Sequence, residues 1–489
     1  MKIKFTVFLT LIAAFYMLFA EELVKWSRTY KGGDLGGNTS FSVIETTDGN
    51  YVVAGYKMEL APYSTDWWLK HSWILKLDAY GDTLWTKLFS TNLYVNGVAG
   101  GVIETLEGDF IISGNENGAY FLKLDADGNY LWHKRYESLG GVGRIKQAID
   151  DGYIALTSHP TGLMKVDRNC DSLWFFEANV DTMNNCYYND LEIANNGYIV
   201  VGRYSYFNTP VIFGWPWAVK YDTNGNEVWN KLYDELHGFR NICSSDSSNF
   251  IIAGSSEKES YFSKIDNDGN VIWEKRYVAD HGIGSEYESS TINSIIGTID
   301  DNYLAVGEND IETSEYGLNT GMFIVKLNTD GDTLWTKTHT KLDTNEANGF
   351  IYTLPGWAKS VKQTIDGGYI IAGEDLMDVW VMKVDEEGNC TGIINNEQLT
   401  INNYELAQNY PNPFNNFTTI EYALDNISDV KISVFNSQGQ KVSELINNKM
   451  GKGRYSVMFN ASRLNSGVYY YQLEVDGVKV KNKKMIYLK

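Results

Sequence analysis

The chain has 489 residues, enough for more than one domain, with 14% aromatic content and a formal charge of −21. That charge is uneven: residues 401–489 carry 11 Lys and Arg against 7 Asp and Glu, a net of +4, which leaves −25 on residues 1–400. So acidic a body repels phosphate backbones and argues against a nucleic-acid partner, and four cysteines (Cys170, Cys186, Cys243, Cys390) without CxxC spacing exclude a disulfide framework and leave room for at most one bridge.

Residues 1–20 combine Lys2 and Lys4, an apolar run from Phe5 to Phe19, and a small residue at Ala20 ahead of Glu21 and Glu22. This is the pattern of a secretory signal peptide, too short to span a bilayer, although Leu18 is large for its place before the cut. No later stretch has the length and apolarity of a membrane helix. The next segment, Leu23 to Tyr30, carries Trp26 followed by Tyr30 four residues later, with nothing of a repeat before it.

From there a module recurs: Lys, then Asp two residues on, Gly three after the Asp, and Trp four after the Gly. It reads Lys76, Asp78, Gly81, Trp85, and again as Lys123 to Trp132, Lys220 to Trp229 and Lys264 to Trp273. Two copies drift, with Cys170 at the Gly position before Trp174 and Asn328 at the Asp position before Trp335. The last copy has Lys383, Asp385 and Gly388 but no Trp. Each copy follows an aromatic and aliphatic run that usually stops at Gly: Tyr51–Gly55, Phe110–Gly114, Tyr153–Thr157, Tyr198–Gly202, Phe250–Gly254, Tyr303–Gly307 and Tyr369–Gly373.

Repeats of this length, built of short β-rich runs between Asp/Asn/Gly turns, predict an all-β chain whose residues 21–392 form a seven-bladed β-propeller. The Trp26 strand supplies the outer strand missing after Gly388 and closes the ring, leaving no open edge between first and last blades. In each turn Asp accepts local backbone N–H groups, Gly supplies a positive φ, and Trp26, Trp85, Trp132, Trp174, Trp229, Trp273 and Trp335 cover the seams between blades. The Asp, Gly and Trp pattern resembles the quinoprotein-type propeller. Relatives of that kind usually have eight blades and an adjacent Cys pair; seven repeats and scattered cysteines here argue against a quinone, and no cofactor is expected.

Asp125 to Asn129 and Asp266 to Asn270 begin like calcium loops but lack the later bidentate Glu, so hairpin chemistry is the reading and a Ca2+ ion the weaker alternative. No metal site is expected. The repeated Lys reads as a blade-edge ion pair.

The connections after the second and fourth strand of each blade are long and irregular, as at Lys57–Ser72, Arg203–Trp215, Val278–Ile292, Glu308–Asn319 and Lys341–Gly356. Variable loops on a rigid frame carry binding residues. Two are aromatic, offering Trp67, Trp68, His71 and Trp73 beside Tyr63, and Tyr204, Tyr206, Phe213, Trp215 and Trp217, and these are the candidate ligand-binding residues for a glycan or protein. The alternative is that the rings only pack the loops onto the rim. No catalytic motif occurs; loop carboxylates (Asp66, Glu308, Asp310, Glu312, Glu315) leave open a glycoside hydrolase or polysaccharide lyase.

A polar linker, residues 393–405, precedes a segment of alternating strands, 406–489, expected to form an immunoglobulin-like sandwich, with five or six strands countable. It carries Asn409-Tyr410-Pro411-Asn412-Pro413-Phe414, then Val434 to Val442 around Gly439, Leu464 to Tyr469 around Gly467, and a Lys-rich end with Lys483 and Lys484. In combination these closely resemble the C-terminal sorting domain of the type IX secretion system, with Asn416 where relatives often have Pro; a flagellar hook-assembly sandwich is the lookalike. The resemblance implies export to the outside or surface of a Gram-negative cell, the secretion machinery as partner, and membrane association only through surface attachment. The chain thus reads as a secreted, monomeric binding or scaffold protein.

Overall fold

The computed structural model describes residues 25–32, 37–60, 68–90, 96–178, 184–206, 215–233, 238–246, 248–255, 259–278, 290–313, 317–345, 350–376, 378–390, 405–424, 428–436, 440–451, 453–475 and 478–489. The chain divides into two compact units, residues 1–395 and 396–489.

In the first unit the described residues build seven four-stranded antiparallel sheets. The first consists of Thr39–Glu45, Tyr51–Leu60, Trp68–Leu77 and Thr83–Phe89, in that order. Five more follow the same plan. The seventh takes Gly356–Gln363, Tyr369–Asp375 and Asp378–Val384 from one end of the unit and its outer strand, Trp26–Tyr30, from the other, with Trp26 opposite Lys383 and Tyr30 opposite Val379. The first strands of the sheets neighbour one another in a closed cycle, Thr39–Glu45 lying between Val98–Glu104 and Gly356–Gln363. A ring of sheets around an axis is a β-propeller.

The aromatic and aliphatic runs are the second strands, buried on both faces between neighbouring sheets, which is why they read as continuous apolar stretches rather than alternating ones. The outer strands show the opposite pattern. Thr83–Phe89 and Thr333–His339 alternate exposed and half-buried residues, and Leu84, Leu131, Ile272 and Leu334, each just before the Trp, are about half exposed.

Contact between sheets follows from the module. Asp78 Oδ1 accepts the backbone N–H groups of Tyr80 and Asp82, and Gly81 turns with a φ of +79°. A Cβ on Gly81 would lie 2.9 Å from the Trp26 ring, so the glycine makes room for the indole of the preceding sheet. Trp26 Nε1 donates to Ala79 O at 2.9 Å, Tyr30 Oη to Gly81 O at 2.6 Å, and Arg28 pairs with Asp82. The same contacts recur where Trp229 Nε1 donates to Asn267 O, Tyr233 Oη to Gly269 O and Lys231 Nζ to Asp268 O. They recur again where Trp273 meets Thr329 O, Tyr277 meets Gly331 O and Lys275 pairs with Asp332. Cys170, at a Gly position, also adopts a positive φ of 58°, and Tyr136 Oη donates to its carbonyl.

The repeated Lys ties each sheet to its own first turn: Lys76 to Asp48 at 2.9 Å, Lys123 to Asp109 at 2.9 Å, Lys165 to Asp150 at 2.7 Å, Lys326 to Asp300 at 2.6 Å and Lys383 to Asp366 at 2.9 Å. Lys220 and Lys264 instead meet Asn267 O and Tyr303 Oη. At Asp48 partial burial opposes ionisation, but hydrogen bonds from Thr46, Lys76 and Asn50 outweigh it and bring the carboxyl down to about 2; at Asp300 burial is likewise outweighed, by Lys326, Thr298 and Asn302, again to about 2.

Two of the expected irregular loops are revised. Glu308 to Asn319 is largely not irregular loop, since Tyr303–Thr313 and Gly317–Leu327 pair along their whole length, and Lys341–Asn345 pairs with Phe350–Leu354 between the sixth and seventh sheets. No disulfide forms among the described cysteines. Burial pushes the thiols of Cys170 to about 12 and of Cys186 and Cys390 to about 11, away from the thiolate form.

The second unit holds a three-stranded sheet (Glu405–Leu406, Phe417–Leu424, Gly453–Asn460) and a four-stranded sheet ordered Lys441–Met450, Ser428–Asn436, Gly467–Val475, Val478–Tyr487. Ile420, Tyr422, Ile432, Val434, Tyr471 and Leu473 form part of their shared core. The strand Lys441–Met450 was not countable from sequence because none of its residues is fully buried, which removes the alternation.

Trp26 is 3% exposed and Leu84 is 51% exposed. Trp26→Ala is expected to destabilise the protein by about 3 kcal/mol in denaturant unfolding, and Leu84→Ala by under about 0.5 kcal/mol. The Asp48 and Asp300 carboxyls, held below their unfolded values, contribute stability that is complete above about pH 4 and lost as pH falls towards 2. Asp48→Asn and Asp300→Asn should flatten the melting-temperature profile in that window while lowering stability at pH 7 by at most about 1 kcal/mol each, since both side chains are half exposed.

Candidate functional site

The expected aromatic residues divide by position. Trp73 is buried and donates from Nε1 to Thr86 Oγ1 at 2.6 Å, and Trp217 is buried, donates to Asn230 Oδ1 at 2.6 Å and stacks on Tyr188 at 5.1 Å. His71 is also buried, 3.9 Å from Glu59. These three belong to their sheets and present no open face, a correction that follows from strand pairing: Trp73 and Trp217 stand opposite Gly55 and Gly202 within the third strands, and His71 opposite Lys57 where the pairing continues to Leu60. Tyr204 packs on Trp217 at 6.3 Å. Trp68 and Trp215 are half-buried at the ends of their strands. Trp67, Phe213 and the side chain of Tyr206 lie outside the described residues, as do Tyr63, Asp66, Glu315 and the side chains of Asp310 and Glu312.

A feature missed in the sequence lies on the axis. In all seven sheets the first strand carries a β-bulge at the same place, where one extra residue is left unpaired: Phe41, Gly100, Gly143, Asn189, Arg240, Asn293 and Lys359. The facing second strand usually has glycine there. A Cβ on Gly55 would fall 1.9 Å from Thr39 O, and one on Gly307 1.7 Å from Thr291 O. The glycines ending the apolar runs are therefore the sequence mark of the bulges. Bulges re-aim side chains, and here they place seven residues of five types at equivalent positions around the mouth of the axial channel on the long-loop side.

Phe41, Gly100, Gly143, Asn293 and Lys359 line a cavity of about 400 Å3 with Asn115, Arg144 and Ser158. Lys359 sits 3.5 Å from Glu374, and Asn293 Nδ2 donates to Glu308 Oε2 at 3.0 Å. Burial raises the Glu308 carboxyl above its ordinary value, against the pull of Lys359 and the Asn293 hydrogen bond. Deeper in, Arg144, Lys146, Asp190, Glu192 and Lys362 line a channel of about 840 Å3. Bonds between neighbouring sheets hold its wall: Val43 N donates to Ser360 Oγ, Val102 N to Ser42 Oγ and Ile242 N to Asp190 Oδ2.

Both oxygens of Asp125 are taken up within the turn, Oδ1 by the N–H groups of Asp127 and Asn129 and Oδ2 by Asn129 Nδ2, and Asp266 is bound in the same way. Among the described residues no group of three or more His, Cys, Asp or Glu is placed to hold a metal ion.

In the second unit the Asn-Tyr-Pro-Asn-Pro-Phe stretch is bound to the sheets. Asn409 is buried, its N–H donating to Tyr471 Oη at 2.8 Å and its Nδ2 to Thr418 Oγ1 at 2.9 Å and Pro411 O at 3.0 Å. Asn412 Oδ1 accepts Ile486 N, and Phe414 is buried 5.2 Å from Tyr487. Tyr410 is exposed, as are Gly467 and Lys484, while Pro411 and Pro413 lie on the surface and Tyr469 is buried with its hydroxyl on Asn465 O. Lys483 is half-buried on the last strand, opposite Tyr471. Gly439 lies outside the described residues. Asn416 has a φ of +58°, which proline cannot adopt.

Residues 408–487 match the family model of the secretion system C-terminal sorting domain. This tail is a type IX sorting domain. A chain that carries it interacts with the type IX secretion machinery and is a secreted or cell-surface protein. No curated protein sequence matches the chain. Solved structures similar to it include the WD40 β-propeller domain of Doa1 (10% identity, TM-score 0.46, 75% of this chain and 100% of that one). Others are the Dos1 propeller (10%, 0.44, 75% and 96%) and the virginiamycin B lyase of Staphylococcus aureus (9%, 0.44, 74% and 99%).

Because the Glu308 carboxyl is raised in the folded protein, its contribution is present below the unfolded value and lost as pH rises through the folded one. Glu308→Gln, which keeps an acceptor for Asn293, is expected to raise the melting temperature at pH 7 and to leave it unchanged at pH 4.

Proposed function

We propose that the chain is a seven-bladed propeller closed by its own N-terminal strand. An N-terminal signal peptide and an immunoglobulin-like sorting domain deliver it to the outer face of a Gram-negative cell, where it acts as a binding or scaffold protein for a glycan or protein. The observation that carries this reading is the bulge ring. One rigid frame holds Phe, Gly, Asn, Arg and Lys at equivalent positions around a single mouth. Such an arrangement varies surface chemistry without altering the core, as binding sites do. Trp68 and Trp215, half-buried on the same side, extend the surface outwards.

Glu308 favours a second reading, a propeller enzyme of the glycoside hydrolase or polysaccharide lyase kind. Its carboxyl is raised and it feels the charge of Glu374, which resembles an acid beside a second carboxylate.

Both readings meet in one experiment, a glycan and protein array screen with product release followed, on the chain from Glu21 onwards. Binding without turnover, weakened at least about tenfold by Trp68→Ala, Trp215→Ala or Lys359→Ala, is the expected result. Turnover lost in Glu308→Gln would replace it with the enzyme. Binding indifferent to all these changes would reject the long-loop side as the site.

A further inference from the structure

We infer that the axial channel holds a second site, below the mouth, where Lys362 binds a small monoanionic organic carboxylate. This site is separate from the binding surface proposed above and does not depend on it. Lys362 lies on the first strand of the seventh sheet, lines the channel, and is exposed to it. Its backbone pairs with Ile370, but among the described residues its ammonium has no hydrogen-bond or ion-pair partner.

The charges acting on Lys362 are Lys146, Glu192, Asp190 and Arg144. These stand on the third and fourth sheets, which do not adjoin the seventh in the cycle, so they face Lys362 across the channel. They are already paired, Lys146 to Glu192 at 2.6 Å and Arg144 to Asp190 at 3.7 Å, and Asp190 also accepts Ile242 N. The far wall is therefore neutral in sum and Lys362 leaves one positive charge uncompensated, inside a chain whose net charge is −21. Loss of bulk water inside the enclosing channel, then Lys146, lowers the Lys362 ammonium from its ordinary value, and a bound anion would reverse that shift.

The charge count selects the ligand. One uncompensated cation matches one carboxylate, whereas a phosphate dianion would bring a second negative charge towards Asp190 and Glu192. Access is open from the long-loop side, because the mouth cavity and the channel share Gly100, Gly143 and Arg144. Nothing lies within 4 Å of a Cβ added at Gly143, so a larger side chain there fits the backbone and narrows the passage.

The test is titration of the chain from Glu21 onwards with acetate, L-lactate and D-glucuronate, with D-glucose and, at a pH of about 8.5 where it is nearly all dianion, phosphate as controls. It is followed by calorimetry and by NMR of the lysine side chains. At least one carboxylate should bind, neither control should bind as tightly, and the Lys362 ammonium should titrate at higher pH when the site is filled. Lys362→Gln should weaken binding about tenfold or more, Lys362→Arg should retain it, and Gly143→Leu should slow or abolish it. The inference is overturned if no carboxylate binds, if D-glucose or phosphate binds equally well, or if Lys362→Gln binds as the unchanged protein does. Should Lys362→Gln fail to fold, the Lys362 titration with and without carboxylate decides alone, and an unmoved value overturns the site.

Discussion

The ring stands on one repeated contact, an indole laid over the turn of the next sheet. The glycine removes a Cβ, the Asp fixes the turn by accepting two backbone N–H groups, and the Trp fills the space and donates its N–H to the turn's carbonyl. The cation two residues after the Trp adds a surface pair, which in water contributes about 0–1 kcal/mol, whereas burying most of an indole contributes about 2–3 kcal/mol. The indole therefore sets the seam and the charges adjust it. A second layer lies beneath, where the Trp meets the aromatic residue that opens the next sheet's second strand, as in Trp26 with Tyr51 and Trp85 with Phe110, each at 6.1 Å. Lys76 lies over that same Phe110 ring, so one lysine serves its own turn and its neighbour's aromatic.

Much of this was legible in the sequence because the constraint is local and repeated. Asp, Gly and Trp at fixed spacing record a turn, a missing Cβ and a ring, and the lone Trp26 segment recorded the outer strand that Val381 and its neighbours lacked. The edge strand Lys441–Met450 was not legible, because a strand with no fully buried residue leaves no period. The aromatic loops misled for a related reason. Trp73 and Trp217 stand inside the third strands opposite Gly55 and Gly202, where Tyr120, Tyr261 and Trp380 stand opposite Gly114, Gly254 and Gly373, and composition alone does not separate a ring packed on a strand from one on the neighbouring loop.

The axial residues were illegible for a different cause. A bulge changes which side chain faces where without changing residue type, so Phe41, Arg240 and Lys359 read as ordinary strand residues. Their only trace lies in the partner strand, in glycines such as Gly55 and Gly373, each of which would place a Cβ 1.9 Å from a carbonyl of the bulged strand. In this chain the strongest local signals hold the ring together, while the residues facing the axis are marked second-hand by what they forbid opposite them.

The closing strand has a kinetic meaning. Lys25 and Asp385 meet from 360 positions apart, whereas an ordinary hairpin in the ring spans about ten residues, so joining them costs about 3 kcal/mol more in loop-closure entropy. Pairing of such long range is slow to form, because the entropy of closing the loop is spent before the contact offsets it. A chain cut short before Asp378 has no strand on which Trp26–Tyr30 can pair, and its first sheet would lose the indole that covers Gly81. The latch thus works as a completeness check, since only a chain made through to the seventh sheet can lock.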